Sequence, residues 1–128
     1  EKKVNSVKAE LFCLEEYIVE KNNNIQLYTE EIQFDEWEVP LIGKHQKYNA
    51  ALAALCIAKS FSIDDPSIII NGIKYVIKNT RIQGRYEIVL DKPRIILDSA
   101  HNPQGIESLI NTFKTGKDNY KNLYYCLV

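Results

Sequence analysis

The sequence is short of apolar runs. The longest, Ala50 to Ala58, holds nine residues, too few to cross a bilayer. No excess of either charge is present: 16 Lys and Arg against 17 Asp and Glu leave a formal charge of −1. That balance argues against binding to nucleic acid or to an anionic membrane by bulk charge. Cysteine is sparse. Cys13, Cys56 and Cys126 form no CxxC, and one stays unpaired under any scheme. Reduced thiols and a cytoplasmic setting are the expectation. There is no GxGxxG and no GxxxxGK(S/T), so neither a dinucleotide fingerprint nor a phosphate loop is present. His45 and His101 stand 56 positions apart, without a cysteine pattern beside them, so no metal site is expected. Trp37 and the tyrosines are scattered without the basic interleaving of a nucleic-acid platform. No internal repeat is visible, and no low-complexity tract beyond Asn22–Asn24.

What is present has a globular balance, with 45% hydrophobic and 26% charged residues. That is enough apolar surface to exclude a disordered chain. The 128 residues suit one domain or parts of two. The first residue is Glu1, with no signal-like apolar segment behind it. The last run, Asn122-Leu123-Tyr124-Tyr125-Cys126-Leu127-Val128, is apolar and β-prone and stops without a turn. A piece of a longer protein is the expectation, with a docked terminal strand as the alternative. A piece ending on an open strand edge should be marginal as a fold and prone to edge pairing.

Val4, Val7, Leu11, Leu14 and Ile18 recur at alternating spacings of three and four, which predicts an amphipathic helix over 5–20. Ile25 to Phe34 and Trp37 to Leu41 read as a hairpin turning at Phe34-Asp35-Glu36, with Pro40 at its edge. Gly43 to Ser60 is the clearest helix, kept slim by Ala50, Ala51, Ala53, Ala54 and Ala58. Asp64-Asp65-Pro66 turns into a second helix over 67–79, giving an αα-hairpin. After Gly84 the pattern changes. Strands are predicted over Tyr86 to Leu90 and Arg94 to Asp98, with a turn at Asp91-Lys92-Pro93. Asn102 reads as the N-cap and Pro103 as the first residue of a helix to about Lys114, followed by a strand over 122–128. The fold class is therefore α/β, with one parallel crossover unit opening a doubly wound domain. A boundary between two units falls near residues 81–93.

Three groupings can carry chemistry. In Gly43-Lys44-His45-Gln46-Lys47-Tyr48-Asn49-Ala50, His45, Gln46 and Asn49 share one face at a helix start. The amides of Gln46 and Asn49 can donate and accept at once, as an adenine edge requires, and the helix start offers free N–H groups to phosphate. The plainer reading is a capping network. In Gly84-Arg85-Tyr86-Glu87, the planar fork of Arg85 suits a phosphate across a cleft. The plainer reading is a surface arginine paired with Glu87 or with an acidic helix residue. In Leu97-Asp98-Ser99-Ala100-His101-Asn102-Pro103, Asp98 ends a strand where α/β sheets bind ligands, and could accept from ribose hydroxyls. The plainer reading has Asp98 and Asn102 shaping the loop.

In this order, the three groupings resemble one family. Leu41-Ile42-Gly43-Lys44-His45-Gln46-Lys47-Tyr48-Asn49-Ala50-Ala51-Leu52-Ala53 is similar to the LxGxHQxxNAxxA helix of folylpolyglutamate synthase/dihydrofolate synthase, in the Mur ligase superfamily. Gly84-Arg85-Tyr86-Glu87 is similar to its GRxE, and Ile96 to Pro103 to its LDGAHNP. The resemblance covers residues 38–128 and is loose over 1–37. It implies ATP- and Mg2+-dependent amide formation through an acyl phosphate. L-glutamate would be added to folate or dihydropteroate by a monomeric parent that binds neither nucleic acid nor membrane. Gln46 and Asn49 would contact adenine with His45 as support. Arg85, the one catalytic candidate, would hold phosphates; Asp98 would bind ribose, and His101 would lie beside the nucleotide. Residues 1–83 would end a central ATP-binding domain, and 84–128 would begin a Rossmann-like C-terminal domain. Ser99 stands where the pattern has glycine, and Ile82-Gln83 where it has Trp-Pro. The phosphate loop, magnesium ligands and folate segment would lie outside this chain, which alone would be inactive. The rivals are a peptidoglycan-type Mur ligase fragment and a non-enzymatic nucleotide-binding module.

Overall fold

The computed structural model describes residues 9–21, 24–29, 33–34, 37–61, 63, 65–116 and 120–126. Its first unit is a small antiparallel sheet covered by a helix. Strands β1 (Ile18–Lys21), β2 (Asn24–Tyr28) and β3 (Gln33–Phe34) lie in that order, with Ile18 opposite Leu27 and Leu27 opposite Phe34. Central β2 alternates as a half-buried strand must: Ile25 and Leu27 point inward, while Gln26 and Tyr28 are only partly covered.

Helix α1 (Lys44–Ser60) lies on that sheet. Ala51 and Ala54 are fully buried in its contact face, so the small side chains do bring the two backbones close. Leu27, Phe34, Ala54, Leu55 and Ile69 form the core, with Phe12, Tyr17, Trp37, Ile70 and Ile73 packed around it. Helix α2 (Pro66–Lys74) starts at Asp65, whose carboxylate accepts from the Ser67 N–H at 2.9 Å. The predicted 67–79 helix is interrupted at Tyr75 and resumes as α3 (Val76–Thr80).

Three expectations for this unit are corrected. Residues 5–20 are not a helix where described: Leu14–Glu16 make one 3-10 turn and Ile18 opens β1. Val4 and Val7 lie outside the described residues. Phe12, Leu14, Tyr17 and Ile18 still cover the core, but a ladder with β2 outweighs their local helical spacing. Trp37 to Leu41 is not a strand. Trp37 instead stacks on Phe34 at 5.8 Å and donates its indole N–H to the Ile25 carbonyl, so a side chain takes the place of a backbone ladder. Ile25 to Phe34 is not one strand: β2 and β3 are separate and pair antiparallel, with β1 on the other side of β2. Of the expected turn at Phe34-Asp35-Glu36, Phe34 ends β3 and the other two residues lie outside the described ones.

The second unit is a hairpin followed by a helix. Strands β4 (Glu87–Asp91) and β5 (Arg94–Leu97) pair antiparallel with a bulge between Ile88 and Leu90. Helix α4 (Pro103–Thr115) begins as expected, with Asn102 accepting from the Gly105 N–H at 2.7 Å. The crossover unit is corrected. Among the described residues no strand pairs in parallel, and 122–126 is not a strand. A strand forms only against a partner. Tyr124 and Tyr125 stand 87% and 62% exposed, while Tyr120 reaches back to Phe113 and Arg94.

A polar knot ties β1 to the first turn of α1. Glu20 pairs with Lys44 at 2.8 Å and accepts from the Tyr48 hydroxyl at 3.0 Å. Lys44 and Tyr48 hold the Glu20 carboxyl below its ordinary pKa, and Glu20 holds both partners above theirs.

Two outcomes follow. Leu55→Ala should lower unfolding stability by about 2–5 kcal/mol in a denaturant titration, since it empties a filled core position. The stabilisation from Glu20 is complete above the ordinary carboxylate pKa and is lost as pH falls through its lowered value. That from Tyr48 and Lys44 is complete below their ordinary pKa values and is lost at alkaline pH. Glu20→Gln should therefore flatten the acid limb of melting temperature against pH, and an unchanged limb would show that the knot contributes nothing.

Candidate nucleotide cleft between two units

Gly84 lies between helix α3 and strand β4. It is buried, has φ +66°, and closes a small ring: its N–H donates to Glu87 Oε2 and its carbonyl accepts from the Ser99 N–H, both at 2.8 Å. The spacing of glycine and glutamate three residues apart thus has a local cause. Glu87 caps the turn rather than pairing with Arg85. The Arg85 guanidinium instead donates to Ser99 Oγ at 2.9 Å. Tyr86 follows at φ +52°, an unusual conformation for a tyrosine. Its N–H donates to Asp98 Oδ2, and its ring packs on Phe113 of α4.

Asp98 lies at the end of β5, which here belongs to an antiparallel hairpin rather than a parallel sheet. Its other oxygen accepts from the Ala100 N–H at 2.8 Å. The loop-shaping reading of Asp98 and Asn102 is therefore realised. Each carboxylate oxygen still has a second lone pair to offer.

Across the gap is the start of α1. Gly43, at φ +114°, precedes it. A Cβ there would lie 2.8 Å from the His45 ring and 3.2 Å from Thr112 Oγ1, so only glycine lets α4 come this close to α1. Gln46 is buried, with its Nε2 3.0 Å from His45 Nε2. Asn49 donates to Gln46 Oε1 at 3.5 Å.

Between these walls lies a cleft of about 420 Å³, within the range of small-molecule sites. His45, Gln46, Asn49, Arg85 and Asp98 all line it. His101 does not. It borders a separate, open hollow beside Pro103 and Lys114, and its Nδ1 lies 3.0 Å from the Ser99 carbonyl. Sequence reasoning missed Tyr86 and the α4 row of Gln104, Ser108 and Thr112, which complete the lining. The row was visible as polar residues every four positions on one helix face; nothing local marked Tyr86. Among the described residues no group of three or more His, Cys, Asp or Glu could hold a metal ion, and no helix is long and apolar enough to cross a membrane.

No protein-family model matches the chain. It is 34% identical over 86 residues to the dihydrofolate synthase/folylpolyglutamate synthase of Bacillus subtilis, covering 67% of this chain and 20% of that protein. The folylpolyglutamate synthase of Lacticaseibacillus casei is 32% identical over 82 residues, 64% of this chain and 19% of the relative. A UDP-N-acetylmuramoyl-L-alanyl-D-glutamate–L-lysine ligase of Streptococcus pneumoniae is 34% identical over 88 residues, 64% and 17%. The chain thus spans a fifth or less of the length of these curated relatives. Among solved structures, an FPGS–AMPPCP–folate complex superposes with a TM-score of 0.70 at 23% identity, over 88% of this chain and 29% of that one. An apo form of the L. casei enzyme gives 0.65 over the same shares. In sequence and in fold, then, the chain is a homologue of one segment of the folylpolyglutamate synthase/dihydrofolate synthases, in the Mur ligase superfamily.

Proposed function

We propose that this chain forms one wall of the nucleotide site of an ATP-dependent ligase that joins L-glutamate to folate or dihydropteroate. The observation that carries the reading is convergence. Segments 43–50, 84–87 and 97–103 are separate in sequence, and each sends a polar side chain into the same cleft. In this reading residues 1–83 close a central ATP-binding unit, and 84–128 open a Rossmann-like one, with Gly84 at the joint.

The lining suits a mononucleotide. Asn49 keeps a donor and an acceptor toward the cleft, the complement of an adenine edge, with Gln46 lining the cleft beside it. The first turn of α1, apart from the Gln46 N–H that bonds the Gly43 carbonyl, leaves helix-start N–H groups without a carbonyl one turn back. Arg85, exposed at the lip, brings a fixed cationic fork to phosphate oxygens and is the residue placed to offset charge there. The unused lone pairs of Asp98 can accept from ribose hydroxyls. His101 stands outside the cleft and is assigned no contact in it. Bound ATP supplies the phosphoryl group that activates a carboxyl toward an amine. The described residues do not make a magnesium site, so the roles given to this chain are to bind, orient and neutralise.

Calorimetric titration of the intact protein with ATP tests this. Arg85→Ala should weaken binding about 10- to 100-fold, the worth of a hydrogen bond to a charged group, and Asp98→Ala should weaken it as well. Unchanged affinity in both removes the assignment.

A second reading is favoured by the pneumococcal match: a Mur-type ligase acting on a peptidoglycan precursor. Offering the intact protein dihydropteroate or folate beside UDP-muramoyl peptides, each with ATP and an amino acid, separates the two. Phosphate release should follow the folate-type acceptor; release only with the muramoyl peptide would favour the rival.

A further inference from the structure

Gln46 and Asn49 line the same cleft, but they are not equivalent. Gln46 is 7% exposed, the one polar side chain among the buried residues described. Both ends of its amide are engaged inside the protein. Its Nε2 lies 3.0 Å from His45 Nε2, and its Oε1 accepts from Asn49 Nδ2. Its backbone N–H is also engaged, with the Gly43 carbonyl at 3.1 Å. Asn49, one turn on, is exposed. Having given one N–H to Gln46, it keeps a carbonyl oxygen and a second N–H for the cleft.

With the two amides placed as they are, one direction runs along the row. Gln46 Oε1 is an acceptor toward Asn49, so its NH2 group faces His45. An NH2 can only donate, so His45 Nε2 accepts and the neutral ring carries its proton on Nδ1. Turning the Gln46 amide over would require the Asn49 amide to turn with it and a proton on His45 Nε2. One amide thus sets both the tautomer of His45 and the facing of Asn49.

We propose that Gln46 is a positioning residue, not a ligand of the base: it holds the Asn49 amide with its carbonyl and free N–H toward the cleft, and base selectivity resides in Asn49. This rests on the nucleotide reading of the cleft. It predicts that Gln46 acts through geometry, so an acceptor at its Oε1 position matters more than its own donor.

Three measurements on the intact protein decide it. Long-range proton–nitrogen correlation of the imidazole should show His45 protonated at Nδ1; a ring protonated at Nε2 overturns the proposal without any variant. Gln46→Leu should weaken ATP binding about tenfold and shrink the preference for ATP over GTP, as Asn49→Ala does. Gln46→Glu keeps an acceptor toward Asn49 and should restore most of both losses, with the His45 proton moving to Nε2. If Gln46→Glu is no better than Gln46→Leu, the glutamine donor touches the base directly and the proposal fails. If Arg85→Ala and Asp98→Ala also leave ATP affinity unchanged, it is the nucleotide reading that fails; if they weaken it, that reading stands and only the role of Gln46 falls.

Discussion

Asp98 accepts one backbone N–H from Tyr86 and one from Ala100, each at 2.8 Å. These two bonds join the three parts of the second unit. Tyr86 leads into β4, Asp98 directly follows β5, and Ala100 leads to the start of α4. The Ser99 N–H bond to the Gly84 carbonyl runs beside them. Without the carboxylate, two partly buried donors lose their acceptor, at a cost of about 1–3 kcal/mol each. The left-handed turn at Tyr86 loses the contact that holds it, and with it the Arg85 guanidinium loses its place at the lip. The cleft wall is therefore a consequence of one side chain at the end of a strand.

The facing wall depends on different physics. Helix α1 is held from below by Ala51, Ala54 and Leu55 against β2, and at its first turn by the Glu20, Lys44 and Tyr48 knot. Burial fixes where the helix lies, and the knot fixes its N-terminal turn relative to β1. Gly43 lets Thr112 of α4 approach that turn, which is the contact that makes two units enclose one space. An apolar core, an exposed ion pair and a missing Cβ thus share the task, and none of the three lines the cleft.

Much of this was legible because it was local. Asp65-Pro66 and Asn102-Pro103 announce helix starts by a capping oxygen and a residue with fixed φ, and the alanines announce a helix that packs closely. The errors came where a distant partner decided. Leu11 to Ile18 carry a helical spacing, yet pairing with β2 makes a strand of the last of them. Residues 122–126 carry a strand composition and have no neighbour to pair with among the described residues. Trp37 reads as strand and serves as a lid on Phe34. For the cleft, Gln46, Asn49, Arg85 and Asp98 were legible as motif residues; Tyr86 was not, because its backbone turn is imposed by Asp98, twelve positions away.

Ser99 shows what a departure from a motif can do. The resemblance places glycine there, and a serine reads at first as a loss of backbone freedom. The structure gives the hydroxyl a task, since it accepts from Arg85 at 2.9 Å and so holds a long, exposed side chain. Fixing such a side chain in advance lowers the rotamer entropy lost on binding. It also sets a competition, because the N–H given to Ser99 is withdrawn from any phosphate until that bond breaks. The same reasoning applies to Asp98, where shaping the loop leaves lone pairs of the same carboxylate that a ligand would use in the proposed reading. The structural and functional readings of these residues are thus not rivals. A side chain that must present its last free lone pair or N–H accurately is best held by the bonds it has already made.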